Sequence, residues 1–169
     1  MRIVVSDSSC LIDLRKICLL DAFLRLPYEI LIPNTLFKGE LVKFTATQKR
    51  SLIRAGLKVV DLPGERVLRA QQVIRESPRL SIHDGFAFAV AQIETGCILL
   101  TGDGLLRALA ETKNIEVHGV LWVVDELHIH RICTARVLHS ALQLLAEDPA
   151  VRLPRRDLMT SLKRYEGKR

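Results

Sequence analysis

Apolar residues along this chain fall into short unbroken runs, separated by longer stretches with helical spacing. Ile3-Val4-Val5 and Ile98-Leu99-Leu100 carry no polar alternation, the pattern of strands covered on both faces in a parallel sheet flanked by helices. Tyr28-Glu29-Ile30-Leu31-Ile32 and Leu57-Lys58-Val59-Val60-Asp61-Leu62 read as further strands, and Ile115-Glu116-Val117 as a last short one. Ser8 to Leu26 has apolar residues at helical spacing, enough for one or two helices, and stops at Pro27. Pro33-Asn34 supply a turn and the start of a helix over Thr35 to Val42 that carries Glu40. Thr45 or Thr47 can cap the next helix, which runs through Ala55 and closes at Gly56.

Pro63-Gly64 break the chain before an amphipathic helix over Glu65 to Glu76, which Pro78 ends. Ser81 to Ile93 reads as a mostly buried helix with Gly96 as its C-terminal stop, and another helix follows from about Leu105 to Thr112. From Gly119 the chain looks helical, with breaks near Arg131, Pro149 and Pro154 and a basic amphipathic segment over Arg155 to Tyr165. The alternation predicts an α/β chain, a three-layer α/β/α sandwich with a largely parallel sheet of about five strands and extra C-terminal helices. It reads as a single domain over residues 1–169, with a core over about 1–118 and a helical extension over about 119–169. Spacing leaves the strand order open.

Composition narrows the class. A hydrophobic fraction of 49% supports a globular chain with an ordinary core. No apolar run approaches the roughly 20 residues that span a bilayer, and no basic start leads into a long apolar stretch. The expectation is a cytoplasmic protein with no membrane partner. Cys10, Cys18, Cys97 and Cys133 are scattered through apolar segments without C-x-x-C spacing, which favours reduced, packed thiols over disulfides or zinc. His128 and His130 form an H-x-H, and His83, His118 and His139 are dispersed, with no carboxylate at zinc-site spacing. Asp125-Glu126 reads as solvated helix surface. The formal net charge of +6 suits a polyanionic partner, and an aromatic content of 5% points to phosphate contact rather than base stacking. Arg152, Arg155, Arg156, Lys163, Arg164, Lys168 and Arg169 form a basic tail that suits phosphates, an acidic partner surface or plain solvent equally.

The candidate chemistry lies at the ends of the apolar strands. Asp7 follows the first and Asp103 the fourth, and in parallel α/β sheets ligands sit beyond the carboxyl ends of the strands. Each acid also has an ordinary role open to it. Asp7 and Asp103 can cap the helices that follow, Glu40 can be a solvated helix residue, and Asp84 stands at capping-box spacing from Ser81. No phosphate-binding glycine loop and no G-x-S-x-G elbow is present.

The set Ser6-Asp7-Ser8-Ser9, Glu40, Asp84 ahead of Ala87, Ala89 and Ala91, and Thr101-Gly102-Asp103 resembles the PIN-domain family of nucleases. Most of the chain takes part, including Val117-His118-Gly119-Val120-Leu121, which resembles PIN-like relatives with added C-terminal helices. The resemblance implies a metal-dependent endoribonuclease in which Asp7, Glu40, Asp84 and Asp103 are both the catalytic and the metal-holding acids. Asp7, Asp84 and Asp103 would be the main ligands of Mg²⁺ or Mn²⁺, with Glu40 holding a water or acting as base. Two carboxylates about 4 Å apart repel by roughly 4 kcal/mol at an effective dielectric near 20, and a divalent cation removes that cost. Thr101 and Ser8 could position these acids through their hydroxyls. Implied partners are RNA, a second copy of the chain in a homodimer and, for VapC-type toxins, an antitoxin masking the site. Where many relatives carry a further acid after the T-x-D, this chain has Gly104-Leu105-Leu106.

Two other functions fit parts of the pattern. A Mg²⁺-dependent phosphatase with Asp7 as nucleophile would carry D-x-D, and Ser9 stands in the place of its second acid. A non-catalytic PIN-like module binding RNA or protein would keep the fold and dispense with one or more acids.

Overall fold

Strands form where the unbroken apolar runs lie. In a computed structural model of the protein, which describes residues 1–168, they are β1 (Arg2–Ser6), β2 (Tyr28–Pro33), β3 (Lys58–Val60), β4 (Ile98–Leu100) and β5 (Glu116–His118). All neighbours are parallel, in the order β3-β2-β1-β4-β5. Val4, Val5, Leu99 and Leu100 at the centre are fully buried, as the lack of polar alternation requires. Helices on both faces complete a three-layer α/β/α fold.

The order follows from how the chain walks. From β1 it steps outward to β2 and β3, returns, and steps the other way from β4 to β5. The direction of winding therefore switches between β1 and β4, and a crevice opens there at the carboxyl ends of the strands. Register locks the seam: Ser6 lies opposite Leu100, and the Asp7 N–H donates to the Leu100 carbonyl at 2.9 Å.

Helices α1 (Ser8–Lys16) and α2 (Leu20–Phe23) divide the stretch before Pro27, with Cys18 between them at φ +59°. Helix α3 (Asn34–Gly39) is one turn shorter than its spacing suggests, so Glu40 is its C-cap rather than a residue on the helix. Thr45, not Thr47, caps α4 (Ala46–Arg54) and closes a reciprocal box with Gln48. Helix α5 (Gly64–Glu76) packs on α6 (Ile82–Ile93), and α6 packs against β1, β2 and β4. Buried Gly85, Ala87, Ala89 and Ala91 keep that helix thin enough to lie close to both neighbours.

Helices α7 (Gly104–Thr112), α8 (Val120–Ile129), α9 (Ala135–Glu147) and α10 (Arg155–Tyr165) complete the described residues. Helix α10 lies on α9 and buries Leu158, Ser161 and Tyr165. The reading of Asp125-Glu126 as solvated surface is corrected. Tyr165 donates its hydroxyl to Asp125 at 2.6 Å beside the Arg164–Asp125 ion pair, and Tyr28 donates to Glu126 at 2.6 Å. Burial and the Glu126 acceptor push the Tyr28 hydroxyl up to about 12, so it stays a donor. Both acids fasten the α8 layer to elements distant in sequence, which helix periodicity does not reveal. The packed-thiol expectation holds for Cys10 and Cys97, while Cys18 is exposed and Cys133 half-buried. Of the basic tail, Arg164 is spent on Asp125, and Arg169 lies outside the described residues.

A close helix approach falls beside a candidate acid. A Cβ on Gly85 would stand 2.9 Å from the Ala70 carbonyl of α5 and 3.2 Å from two Ile74 carbons. Gly85→Ala is therefore expected to lower stability by up to about 2 kcal/mol, because an overpacking cost of about 1–3 kcal/mol outweighs the helix-propensity gain of about 1 kcal/mol. Urea unfolding checks this, and a neutral or stabilising effect would show that α5 and α6 can separate at no cost.

Candidate active site

Asp7 begins where β1 ends. Its extended backbone makes it the N-cap of α1, and the Cys10 N–H donates to its Oδ1 at 3.2 Å. The same oxygen accepts from the Ser9 hydroxyl at 2.7 Å, while Thr101 donates its hydroxyl to Oδ2. Thr101 is fully buried, held by its N–H to the His118 carbonyl at 2.9 Å, and its hydroxyl accepts the Asp103 N–H at 3.0 Å. One hydroxyl thus links the acids after β1 and β4. Ser9 makes a second link, because its Oγ also accepts the Gly102 N–H at 3.2 Å. A Cβ on Gly102 would crowd that oxygen at 3.3 Å, so this loop position suits glycine.

The other acids combine capping with a place at the crevice. Asp103 caps α7 through Oδ1, which accepts from Leu105 and Leu106 N–H at 2.9 and 2.8 Å. Asp84 closes the capping box of α6, its Oδ2 accepting from the Ser81 N–H at 2.7 Å and the Ser81 hydroxyl at 2.8 Å. Glu40 accepts the Ser8 hydroxyl at Oε2. In each of these three, no group among the described residues donates to the other oxygen. Capping and ligation are therefore compatible in one carboxylate.

All four acids line one cleft of about 990 Å³. Asp13 and Asp157 add two more carboxylates to its lining, against three cations, Lys16, Arg107 and Arg152. None of the four acids forms a salt bridge among the described residues. Asp7 is the extreme case, 5% exposed and without a cation. Burial pushes its carboxyl up to about 6; hydrogen bonds from Thr101, Ser9 and Cys10 oppose the rise, and the Asp84 charge adds to it.

These donors fit a hard divalent cation, since all are carboxylate oxygens and the most buried of them lacks a counter-charge. They are not gathered into a ready-built cage. Among the described residues no three His, Cys, Asp or Glu side chains stand together as a metal site. Asp7, Glu40, Asp84 and Asp103 thus share one cleft without forming such a group among the described residues. Mg²⁺ sites of this openness use one or two carboxylates and complete their shell with water and substrate phosphate.

Sequence reasoning did not single out Ser9, Lys16 or Arg107 for the cleft. Ser9 was visible as the last residue of the Ser6-Asp7-Ser8-Ser9 motif and as a non-acid in the D-x-D position, and nothing in the local spacing of Lys16 or Arg107 marks them. The PIN-domain family matches residues 3–166, and the chain belongs to that family. PIN domains are generally nucleases, and such nucleases generally use divalent metals. No curated protein matches the chain. No described helix is long and apolar enough to cross a membrane.

The buried carboxyl of Asp7 sets a pH dependence. Its folded pKa of about 6 lies above the ordinary 3.8, so between these values the folded chain binds more protons than the unfolded one. Stability from this group is present below about pH 4 and is lost as pH rises through 6. In EDTA, wild type is expected to gain up to about 3 kcal/mol relative to Asp7→Asn between pH 7 and pH 4. Parallel stability profiles for the two proteins would contradict the buried, uncompensated charge.

Proposed function

We propose that the protein is a metal-dependent endoribonuclease that hydrolyses RNA phosphodiester bonds in the cleft holding Asp7, Glu40, Asp84 and Asp103. The observation that carries this is Asp7, a carboxylate buried at the sheet's switch point with three hydrogen bonds and no cation, facing a cleft shared with three further acids. Bound Mg²⁺ or Mn²⁺ would polarise the phosphodiester and ease ionisation of the attacking water. Asp7, Asp84 and Asp103 would hold the cation. Thr101 and Ser9 fix both oxygens of Asp7, while the capping bonds fix one oxygen each of Asp84 and Asp103 and leave the other to a ligand. Glu40, steadied by Ser8, is the proposed base, taking a proton at its Oε1. The net charge of +6 supports a polyanionic substrate.

The role of a toxin held by an antitoxin, and the homodimer, belong to the same proposal; their support is the family resemblance alone. One observation favours a second reading, a PIN-like module that binds RNA without cutting it: no three acids stand together, and Gly104-Leu105-Leu106 replace a further acid.

Purified protein incubated with a mixed RNA pool is expected to cut in Mn²⁺ or Mg²⁺, to stop in EDTA, and to lose at least about a hundredfold in rate in Asp103→Asn, the scale of losing one major electrostatic contributor. RNA that is bound and left whole under every metal condition would establish the binding module instead.

A further inference from the structure

The cleft has a wall that the α/β core does not supply. Between α9 and α10 the chain crosses from Asp148 to Pro154 without regular structure, and Ala150, Arg152, Leu153 and Pro154 from this strap line the cleft. The strap is pinned at both ends. Asp148 pairs with Lys16 of α1 at 2.9 Å, accepts the Ala150 N–H at 2.8 Å, and its carbonyl accepts the Val151 N–H at 3.2 Å. Beyond Pro154, α10 is seated by buried Leu158 and Tyr165.

Of the three cations lining the cleft, two are engaged. Lys16 is held by Asp148, and Arg107 donates to the Val117 carbonyl at 3.2 Å. Arg152 has neither a carboxylate nor a hydrogen-bond acceptor among the described residues, although the cleft is lined by six acids. A guanidinium on a pinned segment beside a metal-type acid site has the chemistry to grip a phosphate that the acids themselves would repel.

We infer that the strap is the substrate-binding wall of the site and that Arg152 contacts a backbone phosphate of the bound RNA flanking the one that is cut. This rests on the nuclease reading. It assigns Arg152 to positioning, outside the chemical step. The acids act on one phosphate while Arg152 holds a neighbouring one, so the substrate is a strand extending past the scissile bond on the side of the strap. A contact of this kind strengthens ground state and transition state together, so its loss raises KM far more than it lowers kcat.

The experiment compares full-length wild type, Arg152→Ala, Arg152→Lys and Arg75→Ala. Arg75 is an exposed residue of α5 outside the cleft, and its removal lowers the net charge equally. Cleavage of a labelled RNA is measured in Mn²⁺, and binding of the same RNA is followed by anisotropy in EDTA across a salt series. Arg152→Ala is expected to raise KM about fivefold, the scale of one exposed ion pair. It should also flatten the slope of log K against log salt by about 0.7, one single-strand phosphate contact. Arg152→Lys should recover most of both, and Arg75→Ala should leave both unchanged. Arg152→Ala matching Arg75→Ala in KM and slope, while wild type cuts, would overturn the inference and leave the nuclease reading standing. Absence of cutting by wild type would sink the nuclease reading, and the salt slope would still decide whether Arg152 meets a phosphate.

Discussion

The Asp7 carboxylate, buried at the reversal of the sheet's winding, is the constraint on which the rest of the structure depends. Taking a charge out of water is costly unless something compensates it, and here three hydrogen bonds do so only in part. Two of those donors, Ser9 and Thr101, also hold the Gly102-Asp103 turn. Holding Asp7 and shaping the second acidic turn are thus one task. The fold provides this arrangement because β1 and β4 are neighbours, with Ser6 opposite Leu100.

A chain of net charge +6 concentrates six carboxylates around this cleft. Under the proposed function this contrast would serve a polyanionic substrate: basic surface would draw the nucleic acid in, and a bound cation would offset the acids at the scissile phosphate. The strap from α9 to α10 narrows that contrast to a single cleft, placing Arg152 among the acids.

Much of this was legible in residue order. Strands over Ile3–Val5 and Ile98–Leu100 followed from unbroken apolar runs, and the helix over Arg155–Tyr165 from its periodicity and the preceding proline. Asp7 and Asp103 stood out because each lies between an apolar strand and a helix start, and Asp84 because it stands at capping-box spacing from Ser81 ahead of the alanines; the structure gives each a capping role in addition to its place at the cleft. Glu40 was placed one turn too far inside its helix, since nothing in Leu36-Phe37-Lys38-Gly39 marks the end except a glycine that helices also tolerate. Pairings such as Tyr165 with Asp125 and Lys16 with Asp148 join residues far apart in the chain. Local periodicity carries no information about them. The strap was invisible for the same reason, being read only as breaks near Pro149 and Pro154.

Calorimetric titration of Mn²⁺ into the metal-free protein near pH 6, repeated in buffers of different ionisation enthalpy, tests the central claim most directly. The expected result is saturable binding that releases protons, because a carboxyl with a pKa of about 6 must ionise to accept the cation. Both the affinity and the proton release should collapse in Asp7→Asn. Equal Mn²⁺ affinity and equal proton release in wild type and Asp7→Asn would contradict the account, since the buried acid would then hold no metal.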